Sequence, residues 1–150
     1  MANLLRELTI AEANDLLRSR KLRRTYTRVN ILQCLSRQSS PVSHADVGRE
    51  LASLGFDTST IFRGLNDLVE AQLVARLDVG DRTWRFELSL AADVNSGAAI
   101  KHPHIICSRC GKVECVAAIN VPTVDKAPRH WVIEEVVFKG ICPTCAAQTI

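Results

Sequence analysis

The stretch HPHIICSRCGKVEC, residues 102–115, and the later CPTC, residues 142–145, decide the fold of the second half of the chain. Each stretch contains a Cys-x-x-Cys pair, which presents two thiolates from a single turn. Two such turns brought together make a closed tetrahedral site of four sulfur donors, the geometry that structural Zn(II) prefers. We therefore predict a structural zinc site with the ligands Cys107, Cys110, Cys142 and Cys145.

The six cysteines of the chain also allow two other chemistries, a pair of redox disulfides or an iron–sulfur cluster. No signal-peptide pattern is evident, because Arg6 and Glu7 precede any apolar stretch. The longest apolar run, Cys115–Ile119, is too short to span a bilayer, so we expect a cytoplasmic protein with no membrane partner. A reducing cytoplasm disfavours disulfides, and the ribbon-like spacing favours zinc over an iron–sulfur cluster.

A second set of donors predicts a regulatory metal site. His102 and His104 are two residues apart, so on a strand their side chains point the same way. Cys115 lies in the adjoining predicted strand, and Glu87 lies near the end of a predicted hairpin in the first half of the chain. Two nitrogens, one sulfur and one oxygen suffice for a four-coordinate ion, and the thiolate favours zinc over iron(II) or manganese(II). The alternative is that the histidines are structural or solvated.

The first half of the chain predicts helices followed by a β-hairpin around Gly80 and Asp81. This order is the pattern of a winged helix-turn-helix, a DNA-binding fold. A composition of 47% hydrophobic and 23% charged residues is that of an ordinary globular protein. Four helices are predicted: the first two cover Leu4–Arg20 and Thr25–Arg37, the third begins at Ser43 and the fourth begins near Asp57. The predicted strands are Val74–Leu77, Thr83–Leu88, His104–Cys107, Lys112–Ala117 and Trp131–Lys139.

The fourth predicted helix is the candidate recognition helix. The face opposite its apolar stripe carries residue types that read base edges or bind phosphate, namely Ser59, Phe62, Arg63 and Asn66. The segment from Leu16 to Ala45 contains seven basic residues and no acidic one, although the net charge of the chain is only +3. From this segment we expect contacts to the DNA backbone or the minor groove by Arg23, Arg24 and Arg28.

Each of these predicted DNA contacts has a structural alternative. The basic segment is also typical of a solvated helix face. Phe62 is equally suited to pack on the neighbouring helix or on a partner subunit, and Arg28 to pair with an acidic residue of its own lobe.

Three motifs occur in the order found in the ferric uptake regulator (Fur) family of metal-sensing repressors. TYTR at residues 25–28, followed by Ile31 and Leu32, resembles the T-x-x-R…IL opening of that family. STIFRGLNDLVEAQLV, residues 59–74, is similar to the family's recognition helix. Residues 102–115 resemble its H-x-H-x-x-C-x-x-C-G-K-V element, and Cys142 and Cys145 stand where its second zinc knuckle lies.

The resemblance implies a homodimer that binds an AT-rich palindromic operator in double-stranded DNA when its regulatory metal is present, and represses by blocking promoters. It implies an α+β protein with a winged helix-turn-helix DNA-binding domain over residues 1–88, a linker over 89–100, and a small C-terminal α/β dimerisation domain over 101–150 that holds the four-cysteine zinc site. Arg63 matches the family's DNA-contacting arginine, and Phe62 replaces the usual tyrosine. The residues that match sensory ligands are Glu87, His102 and His104.

Departures from the family pattern bear on the choice of metal. Cys115 stands where iron and peroxide sensors usually have a carboxylate, and Pro41 stands where many members have a sensory histidine, with His44 as a nearby substitute. A further family site is expected to be absent, because its usual ligand positions hold Lys101, Pro103 and Glu134. These departures favour the zinc-uptake-regulator branch and a regulatory Zn(II), with iron, manganese and peroxide sensors of the same family as alternatives.

Two other functional classes are compatible with the sequence. One is a thiol redox sensor whose reactive thiol is Cys34, Cys115 or a member of the Cys-x-x-Cys pairs. The other is a zinc-ribbon adaptor that binds a protein partner and senses nothing. We do not expect an enzyme, because the chain contains no evident nucleophile–base pair and no phosphate-binding loop.

Overall fold

The computed structural model describes residues 7–89, 102–116, 131 and 135–148. The chain divides into two compact units, Met1–Leu90 and Ala91–Ile150. The predicted linker over residues 89–100 lies outside the described residues except for Ser89, so the domain boundaries stay a prediction. No helix in the described ranges has the length and apolar character that crossing a membrane requires.

The first unit contains four α-helices and a small sheet. Local cap chemistry sets three of the helix starts, because the side chains of Thr25, Ser43 and Asp57 accept hydrogen bonds from backbone N–H groups of the first helical turn. The elements are α1 (Ile10–Ser19), α2 (Tyr26–Ser36), β1 (Val42–Ser43), α3 (His44–Glu50), a 3-10 turn (Ala52–Leu54), α4 (Thr58–Glu70), β2 (Val74–Asp78) and β3 (Trp84–Leu88).

The predicted start of the first helix is wrong. Leu4 lies outside the described residues, residues 7–9 are not helical, and α1 begins at Ile10. Thr9 caps α1 in a capping box with Glu12. The chain before it is held in a non-helical conformation by α2, because the backbone N–H of Leu8 donates to Ser36 and its carbonyl accepts from Gln33.

The core of the first unit lies between the helices and the antiparallel sheet, whose strand order is β1-β3-β2. Ile61, Leu65 and Leu68 line the buried side of α4, as the apolar stripe predicts, and Phe86 of β3 is buried with them. α2 and α4 approach closely at Gly64, where a Cβ atom would lie 2.7 Å from Cδ1 of Ile31. Helices followed by this hairpin form a winged helix-turn-helix, which confirms the predicted fold of the first unit.

The second unit contains a three-stranded sheet with the order β5-β4-β6. In this sheet β4 pairs antiparallel with β5 and parallel with β6. The last strand was predicted to begin at Trp131, but neither Trp131 nor residues 135–136 lie in a strand. Residues 132–134 of this prediction, and Ala117 at the end of the preceding predicted strand, lie outside the described ranges. The elements are β4 (His104–Cys107), β5 (Val113–Cys115), β6 (Val137–Gly140) and α5 (Pro143–Ala147).

Candidate metal centres and nucleic-acid interface

The two Cys-x-x-Cys pairs converge in the second unit. The first pair lies at the end of β4 and in the turn that follows, which Gly111 closes with a positive φ of 73°. The second pair lies at the start of α5, with Pro143 in its first turn. The four Sγ atoms lie within 4.8 Å of one another, and those of Cys110 and Cys142 are 3.7 Å apart. This four-cysteine cluster fits the tetrahedral site expected for structural zinc.

The local electrostatics of this cluster favour a bound cation. Backbone N–H groups, first that of Cys110 and then that of Cys142, lower the pKa of Cys107 to about 6 because they donate to its thiolate. The pKa of Cys145 is raised to about 12, because its thiol proton is shared with the sulfur atoms of Cys142 and Cys110. A divalent cation at the centre of the four sulfur atoms would take the place of this shared proton and offset the repulsion among four thiolates.

His102, His104 and Cys115 form a second cluster in the same unit. Their ligand atoms lie within 4.8 Å of one another, and the two imidazole centroids are 4.7 Å apart. His104 and Cys115 are directly opposite on β4 and β5, so their side chains share one face of the sheet. His104 is fully buried. Two imidazole nitrogens and one thiolate are a donor set that suits a borderline-soft ion such as zinc.

Glu87, the predicted oxygen ligand, belongs to the first unit. It lies in β3 opposite Ala75 and is half-buried. Its participation in the same site as the three donors of the second unit stays a prediction.

Glu135 is a residue of this region that the sequence did not single out. Its Oε1 atom is buried and makes no hydrogen bond within the described part of the chain, and it lies 4.0 Å from Nδ1 of His104. The parallel pairing of β4 with β6 produces this proximity, because it places His104 opposite Val137. No local sequence pattern predicts a parallel pairing between strands this far apart in the chain. The position of the Glu135 carboxylate beside His104 was therefore not predictable from the sequence.

The candidate recognition helix, α4, presents the predicted polar face. Ser59 and Arg63 are exposed, Asn66 is half-buried, and the Nε of Arg63 donates to the carbonyl of Ser59 over 3.4 Å. Phe62 is 45% exposed, and its ring meets the edge of the His44 ring with centroids 5.5 Å apart. Phe62 therefore both touches the neighbouring helix and leaves much of its ring available to a ligand on this face.

His44, the first residue of α3, lies beside the start of the recognition helix. Its Nε2 atom is 3.0 Å from the carbonyl oxygen of Thr58, in addition to the ring contact with Phe62. These contacts engage the imidazole within the first unit, and Pro41, at the position of the family's usual histidine, is buried. A role for His44 as a metal ligand stays a prediction.

The three predicted arginine contacts differ in their surroundings. Arg23 and Arg24 are exposed. Arg28 is half-buried, and its guanidinium pairs with the Asp67 carboxylate of α4 at 2.6 Å and donates to the carbonyl of Arg23 at 2.8 Å. The geometry thus favours the alternative interpretation of Arg28, in which it pairs within its own unit and ties α2 to the recognition helix.

Cys34, one of the thiols considered for redox sensing, is fully buried in α2. Burial and the nearby Glu50 carboxylate raise its pKa to about 12. Because the thiolate is the reactive form of cysteine, we expect Cys34 to react poorly at neutral pH.

The sequence signature of the ferric uptake regulator family matches residues 19–135. The chain belongs to this family. The match covers the recognition helix, the histidine pair and the first Cys-x-x-Cys pair, while Cys142 and Cys145 lie beyond its end.

Proteins similar to this chain include regulators with three different names, PerR, ferric uptake regulator and zinc uptake regulator. The transcriptional regulator PerR of Clostridium acetobutylicum is 33% identical over 86 residues, which cover 54% of this chain and 56% of the relative. The ferric uptake regulator Fur of Helicobacter pylori superimposes with a TM-score of 0.68 at 19% identity, over 94% of this chain and 96% of that one. A zinc uptake regulator complexed with zinc and DNA superimposes with a TM-score of 0.58 at 23% identity, over 93% of both chains.

These likenesses settle the fold and leave the metal open. The matches to the curated relatives span 56–61% of the relatives' own lengths. The structural matches confirm the α+β architecture, with an N-terminal winged helix-turn-helix domain and a small C-terminal α/β domain that carries the four-cysteine cluster.

Proposed function

We propose that the protein is a metal-dependent DNA-binding transcriptional repressor that responds to zinc and controls genes of metal homeostasis. The observation that carries this proposal is the convergence of His102, His104 and Cys115 at a site separate from the four-cysteine cluster. A regulator needs such a second site, because a closed site of four thiolates holds its ion as part of the fold and leaves no position open for exchange. Membership of the ferric uptake regulator family supports a metal-responsive regulator.

Zinc is the regulatory metal that the donor chemistry favours. Cys115 contributes a thiolate where iron and peroxide sensors usually have a carboxylate, and a thiolate with two imidazoles suits Zn(II) better than Fe(II) or Mn(II). Iron, manganese or peroxide sensing is the alternative within the same family. The buried, high-pKa thiol of Cys34 argues against its use in redox sensing.

Glu87 is proposed as the fourth ligand, on the sequence argument alone. It belongs to the DNA-binding unit, whereas the other three ligands belong to the second unit. A regulatory ion bound by all four would tie the two units together and favour the arrangement that completes its coordination shell. The four-cysteine cluster is proposed to hold a structural Zn(II), whose binding contributes to folding of the second unit.

The DNA ligand is proposed to be an AT-rich palindromic operator bound by a homodimer. Two-fold symmetry of the protein matches two half-sites in the DNA. α4 enters the major groove, where Arg63 contacts a guanine edge or a phosphate and the exposed ring of Phe62 meets thymine methyl groups. Ser59 and Asn66 bond base edges or phosphates, and Arg23 and Arg24 bind the backbone.

The proposal is tested by measuring metal content and DNA binding of the purified protein together. The probe is a duplex selected from a random-sequence library by the zinc-loaded protein, and its binding is titrated in solutions buffered for free Zn(II), Fe(II) and Mn(II). We expect mild chelation to leave the zinc of the four-cysteine cluster in place and abolish DNA binding, and zinc to restore binding at the lowest free concentration. Restoration by Fe(II) or Mn(II) at lower free concentrations would overturn zinc specificity. DNA affinity that survives chelation would favour the adaptor alternative.

Cys115→Ser tests the sensory ligand set, with Glu114→Gln as its matched control. Glu114 is the exposed neighbour of Cys115 on β5 and pairs with Lys112. We expect Cys115→Ser to raise the free zinc needed for DNA binding by about tenfold or more, because serine is a poor zinc ligand, and Glu114→Gln to behave as the unaltered protein. Normal zinc dependence of the Cys115→Ser protein would show that this ligand set is wrong.

A further inference from the structure

We propose that Glu135 is a positioning residue that accepts the Nδ1–H of His104 and so presents Nε2 of that imidazole to the regulatory metal. The inference rests on the proposed metal site, and it assigns a role to a residue outside the ligand set.

The sheet fixes the position of Glu135 beside the ring. β6 runs parallel to β4, His104 stands opposite Val137, and the backbone N–H of His104 donates to the carbonyl of Val136 at 3.1 Å. The backbone immediately after Glu135 is therefore tied to the backbone of His104 itself. The carboxylate reaches the ring on its Nδ1 side, with Oε1 4.0 Å from Nδ1.

Burial explains why the two side chains need each other. His104 is fully buried, and Oε1 of Glu135 is buried without a hydrogen bond among the described residues. A buried carboxylate oxygen is costly unless a donor satisfies it. The separation of 4.0 Å is longer than a hydrogen bond, and we expect a small rotation of the Glu135 side chain to close it when the metal fixes the ring.

The chemistry of imidazole connects this contact to metal binding. A neutral imidazole carries one N–H, and only its other nitrogen has a lone pair for a metal. A carboxylate that accepts from Nδ1–H therefore selects the tautomer whose lone pair lies on Nε2. Histidine ligands that donate to a carboxylate in this way are held in orientation and become more basic, and loss of the carboxylate typically lowers metal affinity about 10- to 100-fold.

The first test reads the tautomer directly. Long-range ¹H–¹⁵N spectra of the full chain with ¹⁵N-labelled histidine, loaded with zinc, report which ring nitrogen of His104 carries the proton, and His104→Gln assigns the signals. We expect a protonated Nδ1 and a zinc-bound Nε2. Zinc bound through Nδ1 would overturn the role of Glu135 but leave the metal site intact. A His104 ring that binds no zinc would overturn both the role and the site.

The second test separates positioning from direct ligation. We expect Glu135→Ala to weaken zinc binding at the regulatory site about 10- to 100-fold. Glu135→Gln should lose less, because its carbonyl oxygen still accepts a hydrogen bond, and Glu114→Gln should lose nothing. Zinc retained at the four-cysteine cluster and an unchanged circular dichroism spectrum confirm that each variant is folded.

Cobalt(II) absorption identifies the ligands themselves. If Glu135 only positions His104, the d–d bands of Co(II) at the regulatory site keep their energies in Glu135→Gln, whereas Cys115→Ser removes the thiolate charge-transfer band. Bands that shift in Glu135→Gln would make Glu135 a direct ligand and overturn the proposal. Unchanged zinc affinity in a folded Glu135→Ala protein would overturn it as well.

Discussion

The ion pair between Arg28 and Asp67 predicts a measurable coupling between α2 and the recognition helix. The two groups are 2.6 Å apart, and their side chains are 18% and 41% exposed. Fully exposed pairs contribute at most about 1 kcal/mol, whereas hydrogen bonds to charged groups in protected sites contribute about 1.5–3 kcal/mol. Because the pair lies between these cases, we expect a coupling free energy of about 1–1.5 kcal/mol.

A double-mutant cycle measures this coupling. Asp67→Ala should destabilise the protein by about 1–1.5 kcal/mol. Arg28→Ala should destabilise it by about 2–3 kcal/mol, because the arginine also donates to the Arg23 carbonyl and has most of its side chain buried. Urea unfolding followed by circular dichroism at a helix wavelength reports mainly on the first unit, which contains α1 to α4. The double variant should cost less than the sum of the two single variants.

DNA binding by the same variants separates positioning from direct contact. If Arg28 acts by holding α4, both single variants weaken DNA binding and neither changes the salt dependence. If Arg28 binds a phosphate, Arg28→Ala lowers the slope of log affinity against log salt by about one unit and Asp67→Ala binds normally. The latter result, or a coupling energy of zero, would refute the interpretation of Arg28 as a link between helices.

Two further predictions follow from packing and burial. Gly64→Ala should destabilise the protein, because the new Cβ would lie 2.7 Å from Cδ1 of the buried Ile31 side chain. Such overpacking typically costs about 1–3 kcal/mol, which we expect to outweigh the gain of roughly 1 kcal/mol in helix propensity. In the matched control Gly48→Ala, the new Cβ would lie 4.0 Å from Cδ1 of Ile61, and we expect α3 to be stabilised by about 0.5–1 kcal/mol. Equal changes in melting temperature for the two variants would contradict the close approach of α2 and α4 at Gly64. Because burial raises the pKa of Cys34 to about 12, we expect its thiol not to react with a thiol reagent in the native protein at pH 7 and to react after unfolding. Peptide mapping identifies the labelled cysteine, and rapid labelling of Cys34 in the native protein would support the redox-sensor alternative.

The starts of all four helices of the first unit are marked by local cap residues. The starts of α2, α3 and α4 were predictable, because each depends on a cap within the first turn. The start of α1 carries a local signal as well, the capping box of Thr9 and Glu12, which the prediction overlooked. Hydrogen bonds of Leu8 with α2, a distant part of the chain, add a long-range contact just before this cap.

The candidate metal sites depend on both local spacing and long-range pairing. The histidine pair and the two Cys-x-x-Cys turns follow from the two-residue period of a strand and from ligand spacing within one turn, so their residues were identifiable from the sequence. The sequence by itself therefore determined the helix caps, the apolar face of α4 and the identity of the sulfur and nitrogen donors. Only the tertiary structure decided that Arg28 pairs with Asp67 and that Glu135 lies beside His104. Both contacts join residues far apart along the chain, and such pairs meet only when packing and strand pairing bring their elements together.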